Sequence, residues 1–179
     1  LSRSEIQQAG SRLRSLSYPP EHGKSHETTT SGSTGEPLKV LRTGLDALMW
    51  QAMTLRDHSW HQRDTSGSLC IVRAGVQPTP DGRWLNGWGP ATNALVGGGR
   101  SALFPINQDV AAIADWLAKR DPDYLLIYPT VLAALLRLLQ EKPINLTNLR
   151  QVRTISEVLT RETRDLCQRV LGVPVIDLY

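Results

Sequence analysis

Apolar positions recur with two periods along this chain, and each stretch of one period predicts an element. Ile6, Ala9 and Leu13 stand three and four apart, a sparse helical pattern over residues 1–17. Tyr18-Pro19-Pro20 ends it, because the residue before a proline avoids the helical region. Residues 27–31 and 38–42, rich in threonine and β-branched side chains, read as two short strands. Leu45, Leu48, Met49, Ala52 and Leu55 keep a helical period and predict an amphipathic helix over 45–60. Leu69-Cys70-Ile71-Val72 is an apolar run of strand length. Residues 77–90 are dense in proline and glycine and read as loop, with Trp84 and Trp88 on it as pocket covers or structural anchors.

Beyond residue 108 the two periods alternate. Asp109 caps a helix with Val110, Ile113, Ala114 and Leu117 on one face, broken at Asp121-Pro122. Residues 124–128 form an apolar strand, and Thr130 is placed to cap a leucine-rich helix that runs to about Glu141. Val152 to Ile155 is a strand, Thr160 caps a helix ending at Gly172, and residues 175–179 are the last strand. Strands that are apolar throughout and alternate with helices predict a buried, largely parallel sheet flanked by helices, an α/β fold. Ligands of such sheets bind beyond the carboxyl ends of the strands, which places Tyr128-Pro129, Ser156-Glu157 and Tyr179 near one edge.

Between the first two strands lies Thr30-Ser31-Gly32-Ser33-Thr34-Gly35, followed by Pro37. Glycine lets the backbone approach a ligand closely, and successive backbone N–H groups in such a turn form an anion-holding nest. The hydroxyls of Ser31, Ser33 and Thr34 add donors that suit phosphate oxygens. The pattern is a β-hairpin with a phosphate loop at its tip; the plainer alternative is a solvated linker, which needs neither the strand-like flanks nor the proline. A Walker loop does not fit, because the second glycine would fall at Pro37 and Lys39 is followed by Val40. There is no G-x-G-x-x-G run either.

The loop resembles the phosphate-binding signature of the adenylate-forming enzymes, [TS]-S-G-[ST]-T-G-x-P-K-G, at Thr30 to Gly35 and at Pro37. It departs at Leu38 and Lys39, as in the phenylacetate–CoA ligase branch. Thr154-Ile155-Ser156-Glu157-Val158-Leu159 resembles that family's adenine-lining segment, and residues 175–179 resemble the strand leading into Tyr-Gly-x-[ST]-Glu. Gly97-Gly98-Gly99-Arg100 and residues 124–130 follow in the same order. The resemblance spans residues 26–179 and implies a partial nucleotide-binding domain, truncated at its C-terminal end, behind a helical and loop lead-in at 1–25. The chain begins at Leu1 and ends on an apolar strand, so it is expected to be a fragment.

The resemblance implies two half-reactions. A carboxylate attacks the α-phosphorus of ATP, giving an acyl-adenylate and pyrophosphate, and a thiol, that of coenzyme A, takes the acyl group. Thr30, Ser31, Gly32, Ser33, Thr34 and Gly35 would hold the phosphates, with Mg2+ bridging them. Ser156, Glu157 and Tyr179 would contact adenine. Trp88, Leu95 and Tyr128 are proposed for the acyl pocket, which suits an aromatic or similarly apolar acid. Catalytic residues and magnesium ligands are expected beyond Tyr179, so the chain alone is expected to be inactive. A carrier protein could replace coenzyme A as acceptor, and a degenerate non-catalytic nucleotide-binding module is the other alternative. A second copy of the chain stands as a further partner.

Composition excludes several other classes. The 179 residues are 40% hydrophobic and 21% charged, as in ordinary globular proteins, and the net charge of +3 is too small and scattered for a nucleic-acid or membrane surface. No apolar run reaches transmembrane length and the amino terminus is no secretory signal. Two cysteines, Cys70 and Cys167, make no disulfide framework and point to a reducing, cytoplasmic setting. His58/His61 and His22/His26 have metal-compatible spacing but no third ligand nearby, so they read as exposed histidines and no metal site is expected. Leu132, Leu135, Leu136, Leu138 and Leu139 read as core, and Arg150, Arg153, Arg161, Arg164 and Arg169 as a solvated helix face. No G-x-S-x-G nucleophile elbow is present.

Overall fold

The first helix starts where its chemistry allows. Ser2 Oγ accepts from the Glu5 amide at 3.3 Å and Glu5 Oε2 accepts from the Ser2 amide at 2.6 Å, a capping box that opens α1 (Arg3–Ala9). A computed structural model of the chain describes residues 2–29, 39–79 and 83–178. Two compact units are present, Leu1–His61 and Gln62–Tyr179.

In the first unit the helical pattern expected over residues 1–17 is confined to α1 and a short 3₁₀ turn at Gly10–Leu13. Strands β1 (His26–Thr29) and β2 (Lys39–Arg42) pair antiparallel, with His26 opposite Arg42 and Thr29 opposite Lys39. Glu27 holds the ribbon to Lys39 at 3.1 Å and to Arg14 at 2.7 Å. The predicted helix is α2 (Gly44–Trp60), capped by Thr43. Its apolar stripe does not face a core: Leu45, Leu48, Met49 and Ala52 are exposed, and the buried residue of the helix is His58. The period establishes the helix but not its partner. His58 therefore departs from the expectation of an exposed pair, while His61 lies 3.5 Å from Asp57.

The second unit is built on a six-stranded sheet. Its strands are β3 (Ser68–Arg73), β4 (Leu85–Asn86), β5 (Arg100–Pro105), β6 (Tyr124–Ile127), β7 (Gln151–Ile155) and β8 (Val175–Leu178), in the order β4-β5-β3-β6-β7-β8. All neighbours are parallel except β4, which runs antiparallel on β5. The expected α/β architecture is present: a largely parallel sheet flanked by helices, and a separate two-stranded hairpin. Residues 77–90 are not wholly loop, because Leu85 and Asn86 pair with Ser101 and Arg100, and α3 (Pro90–Leu95) follows.

Helices α4 (Val110–Arg120), α5 (Pro129–Glu141) and α6 (Arg161–Leu171) connect β5 to β6, β6 to β7 and β7 to β8. Right-handed crossovers in one direction put all three on the same face, and they pack side by side. That face buries Cys70, Val72, Leu125, Ile127, Val152 and Val175 against Ile113, Leu117, Leu132, Leu135, Leu136, Leu139 and Leu166. Each large aliphatic side chain buried there contributes about 1.5–3 kcal/mol. Asp109 and Thr160 cap α4 and α6 as predicted, and Gly172 ends α6 in the left-handed conformation. Thr130 does not cap α5. Pro129 occupies the first helical position, so Thr130 lies inside the helix.

Candidate nucleotide-binding edge

Because β5, β3, β6, β7 and β8 are parallel, their carboxyl ends, from Arg73, Pro105, Ile127, Ile155 and Leu178, share one edge. The connection leaving β3 runs outward to β5, whereas that leaving β6 runs the other way to β7. Such a switch of direction opens a crevice beyond the carboxyl ends of the two strands. A cavity of about 400 Å³ lies beyond β3 and β5 on this edge, lined by Val76, Gln77, Phe104 and Pro105 among others.

Two loops of this edge meet. Ser156, directly after β7, has φ +69°, the left-handed region that a serine seldom adopts. The chain thereby turns sharply, and Glu157 Oε2 accepts from the Thr130 amide at 2.9 Å. Next to them Thr154, fully buried, donates from Oγ1 to Asp177 Oδ1 at 2.7 Å and ties β7 to β8. Half-buried Tyr128 precedes α5 on the same edge. Of the residues expected to surround adenine, Ser156 and Glu157 stand together here. Tyr179 and the entire phosphate loop, Thr30 to Gly35, lie outside the described residues.

The three residues expected to form an acyl pocket do not gather. Tyr128 follows the carboxyl end of β6, while Trp88 packs on Tyr124, the first residue of that strand, with ring centroids 4.9 Å apart. Trp88 Nε1 donates to the Gly67 carbonyl at 2.9 Å, just before β3. The strand alone separates these ends by about 13 Å. Leu95 is 77% exposed at the end of α3, shortly before β5 begins, and so also belongs to the amino end of the sheet. Trp84 is an anchor as well, with the guanidinium groups of Arg100 and Arg120 over its ring at 4.5 Å and 5.1 Å.

The amino edge carries a polar network that periodicity does not reveal. Asp123 Oδ2 accepts from the Ser68 amide at 2.8 Å and from its hydroxyl at 2.7 Å, and Oδ1 pairs with Arg150 at 3.1 Å. Asp64 accepts from the Ser66 hydroxyl and amide and lies 3.6 Å from Arg150. These contacts, the Ser66 hydroxyl foremost, hold the Asp64 carboxyl below its ordinary value. Two members of the expected basic helix face are therefore elsewhere. Arg150 knits this network before β7, and Arg153 is buried within β7. Both cysteines are buried, and burial raises the Cys70 thiol and pushes that of Cys167 up to about 12. Among the described residues no cluster of three His, Cys, Asp or Glu side chains could hold a metal ion, and no helix is long and apolar enough to cross a membrane.

Solved structures share this fold over most of the chain. The 2-hydroxyisobutyryl-CoA ligase, in an open conformation with 2-HIB-AMP and CoA, aligns with a TM-score of 0.64 and 15% identity, covering 98% of this chain and 38% of the ligase. The anthranilate CoA ligase in complex with anthranoyl-AMP gives 0.57 and 17%, covering 83% of this chain and 27% of that one. A long-chain-fatty-acid-CoA ligase from Archaeoglobus fulgidus gives 0.55 and 14%, covering 82% and 27%. No protein-family profile matches the chain, and no curated protein matches it. The chain spans between a quarter and two fifths of the length of these ligases, and its fold is that of a portion of the adenylate-forming acyl-CoA ligases.

Proposed function

We propose that the chain is the nucleotide-binding portion of an acid–thiol ligase that activates a carboxylic acid as its adenylate. The observation that carries the reading is the agreement of the whole-chain fold with a ligase that holds an acyl-adenylate and CoA. The phosphate-loop signature at Thr30 to Gly35 supports it independently, since it comes from sequence alone.

In this reading Thr30 to Gly35 cradle the ATP phosphates with backbone amides and hydroxyls. Ser156, Glu157 and Tyr179 line the adenine at the carboxyl edge, with Tyr128 beside them. Nucleotidyl transfer depends on holding the attacking carboxylate in line with the α-phosphorus and on neutralising charge over the phosphate oxygens. The first product is the acyl-adenylate with pyrophosphate leaving; a thiol such as that of coenzyme A then displaces AMP. Among the described residues no three His, Cys, Asp or Glu side chains gather to hold a metal, so Mg2+ would be held largely by the nucleotide's own phosphates.

Calorimetric titration with ATP tests the reading. The wild-type chain binds, and Gly32→Val and Gly35→Val, with circular dichroism unchanged, abolish binding. Unchanged affinity in either folded variant refutes the phosphate role.

A further inference from the structure

The start of α5 depends on an acceptor from another loop. Pro129 has no N–H, and Leu132 is the first residue whose amide reaches a carbonyl of its own turn, that of Tyr128 at 2.9 Å. The amides of Thr130 and Val131 therefore need acceptors from outside the helix. The N-cap residue, Tyr128, supplies no side-chain cap. The acceptor for Thr130 is Glu157 Oε2 at 2.9 Å, 27 residues further along the chain. A carboxylate there is favoured twice, by the charge-assisted hydrogen bond and by the positive end of a 13-residue helix. Ser156 supports the arrangement. Its left-handed conformation, φ +69°, turns the chain after β7 so that the next side chain points back to α5. A strained non-glycine residue persists where its surroundings over-determine it.

We infer that Glu157 is a positioning residue: its carboxylate joins the turn at Tyr128–Thr130 to the turn at Ser156–Glu157, so that the two form one fixed wall of the nucleotide site. The inference rests on the proposed nucleotide reading and refines it. Glu157 acts on the nucleotide through the geometry of both loops, and its carboxylate is engaged by protein, not by adenine.

The test uses the full chain, with AMP as probe, in wild type, Glu157→Gln and Glu157→Ala. Two quantities are read: AMP affinity by calorimetry, and exchange of the Thr130 amide by nuclear magnetic resonance without nucleotide. A carboxamide oxygen accepts the same hydrogen bond, so Glu157→Gln keeps AMP affinity within about twofold and leaves the amide protected. Glu157→Ala removes the cap, speeds Thr130 exchange and weakens AMP by about fivefold, the usual size of a lost helix cap expressed as a binding ratio. Weaker AMP binding with unchanged Thr130 exchange overturns the inference in favour of direct contact. AMP affinity unchanged in Glu157→Ala overturns it outright. If Glu157→Ala does not fold, Glu157→Asp replaces it: one methylene shorter, it must lose affinity where Glu157→Gln does not, and the reverse order overturns the inference. A wild-type chain that binds neither AMP nor ATP refutes the nucleotide reading itself, and the inference with it; that result is distinct because Thr130 protection is measured without ligand.

Discussion

Gly99 is the position where one methyl group should do most damage. It closes the run Gly97-Gly98-Gly99 ahead of β5, with φ +71°. A side chain in that left-handed region costs about 1–2 kcal/mol. A Cβ built there would also lie 2.1 Å from the Thr65 carbonyl oxygen, well inside the 3.0 Å that real Cβ contacts respect. It would stand 3.1 Å from both the Gly67 carbonyl and Trp88 Nε1. The obstructing Thr65 atom is backbone, so the segment before β3 must move. The Gly67 carbonyl accepts from Trp88 Nε1 at 2.9 Å and from the Arg100 amide at 3.2 Å, and both bonds are strained by that movement. With about 1 kcal/mol for each hydrogen bond, Gly99→Ala should destabilise the second unit by about 3–4 kcal/mol.

Gly97→Ala is the control. Its φ is +61°, yet nothing lies within 4 Å of a Cβ there, so only the conformational part, about 1–2 kcal/mol, applies. Urea unfolding of both variants gives the difference directly, provided the m-values agree. The expected gap is about 2 kcal/mol, or roughly 8 °C in midpoint temperature for a unit spanning Gln62–Tyr179. Equal stabilities would refute the steric argument and the placement of Trp88 against Gly67.

Two further outcomes follow from burial and charge. Cys70 and Cys167 are buried, with thiols raised by desolvation, so an aromatic disulfide reagent at pH 8 should label neither in the folded chain and both after unfolding; labelling with the circular-dichroism spectrum intact would place a thiol at the surface. The Asp64 carboxyl lies below its ordinary 3.8 in the folded chain. Its contribution to stability is thus complete above pH 3.8 and is lost as pH falls below that value, because the unfolded chain protonates first. Asp64→Asn should flatten the acid limb of the stability–pH curve below pH 4 and leave the curve above pH 5 parallel to wild type. An unchanged acid limb would deny Asp64 its bonds to Ser66.

Elements whose signals are local could be read from the sequence. Asp109, Thr160 and Gly172 sit within a few residues of the helix ends they fix, and α4 and α6 begin where those caps predict. The pairing of β1 with β2 is also a short-range event. What could not be read depends on distant partners. Glu157 displaces Thr130 as the cap of α5 from 27 residues away. Trp88 is anchored to a carbonyl 21 residues earlier, which ties it to the amino edge. β5 was hidden between a glycine run and a short apolar stretch, and its place outside β3 is set by sheet order, to which periodicity is blind. Arg150 and Arg153 read as members of a helix face although the apolar pattern already sets Arg153 within a strand, because a charge run carries no sign of which of its side chains turn inward or which distant carboxylate they meet.

The two ends of the sheet are built differently. At the amino edge, Asp64, Ser66, Ser68, Asp123 and Arg150 satisfy one another, and Trp88 and Gly99 are fitted against backbone. Substitutions there act on stability, since each leaves a donor or acceptor without its partner or forces a carbonyl to move. At the carboxyl edge, Ser156 is exposed in a strained conformation, Val158 is 78% exposed, and the tie from Glu157 to Thr130 fixes two loops to each other. Loops held at a few points on a rigid sheet are where ligand contacts can be arranged without disturbing the core. Glu157 joins the two roles. Its loss should lower ligand affinity by freeing the loops while leaving the buried face of Leu125, Leu132 and Val152 intact, whereas Gly99→Ala should lower stability and leave the affinity of the folded fraction unchanged. A variant set from both edges, measured for unfolding and for AMP binding, should thus separate into two groups with little overlap. Amino-edge variants that weaken AMP binding at full stability would refute this division of the sheet.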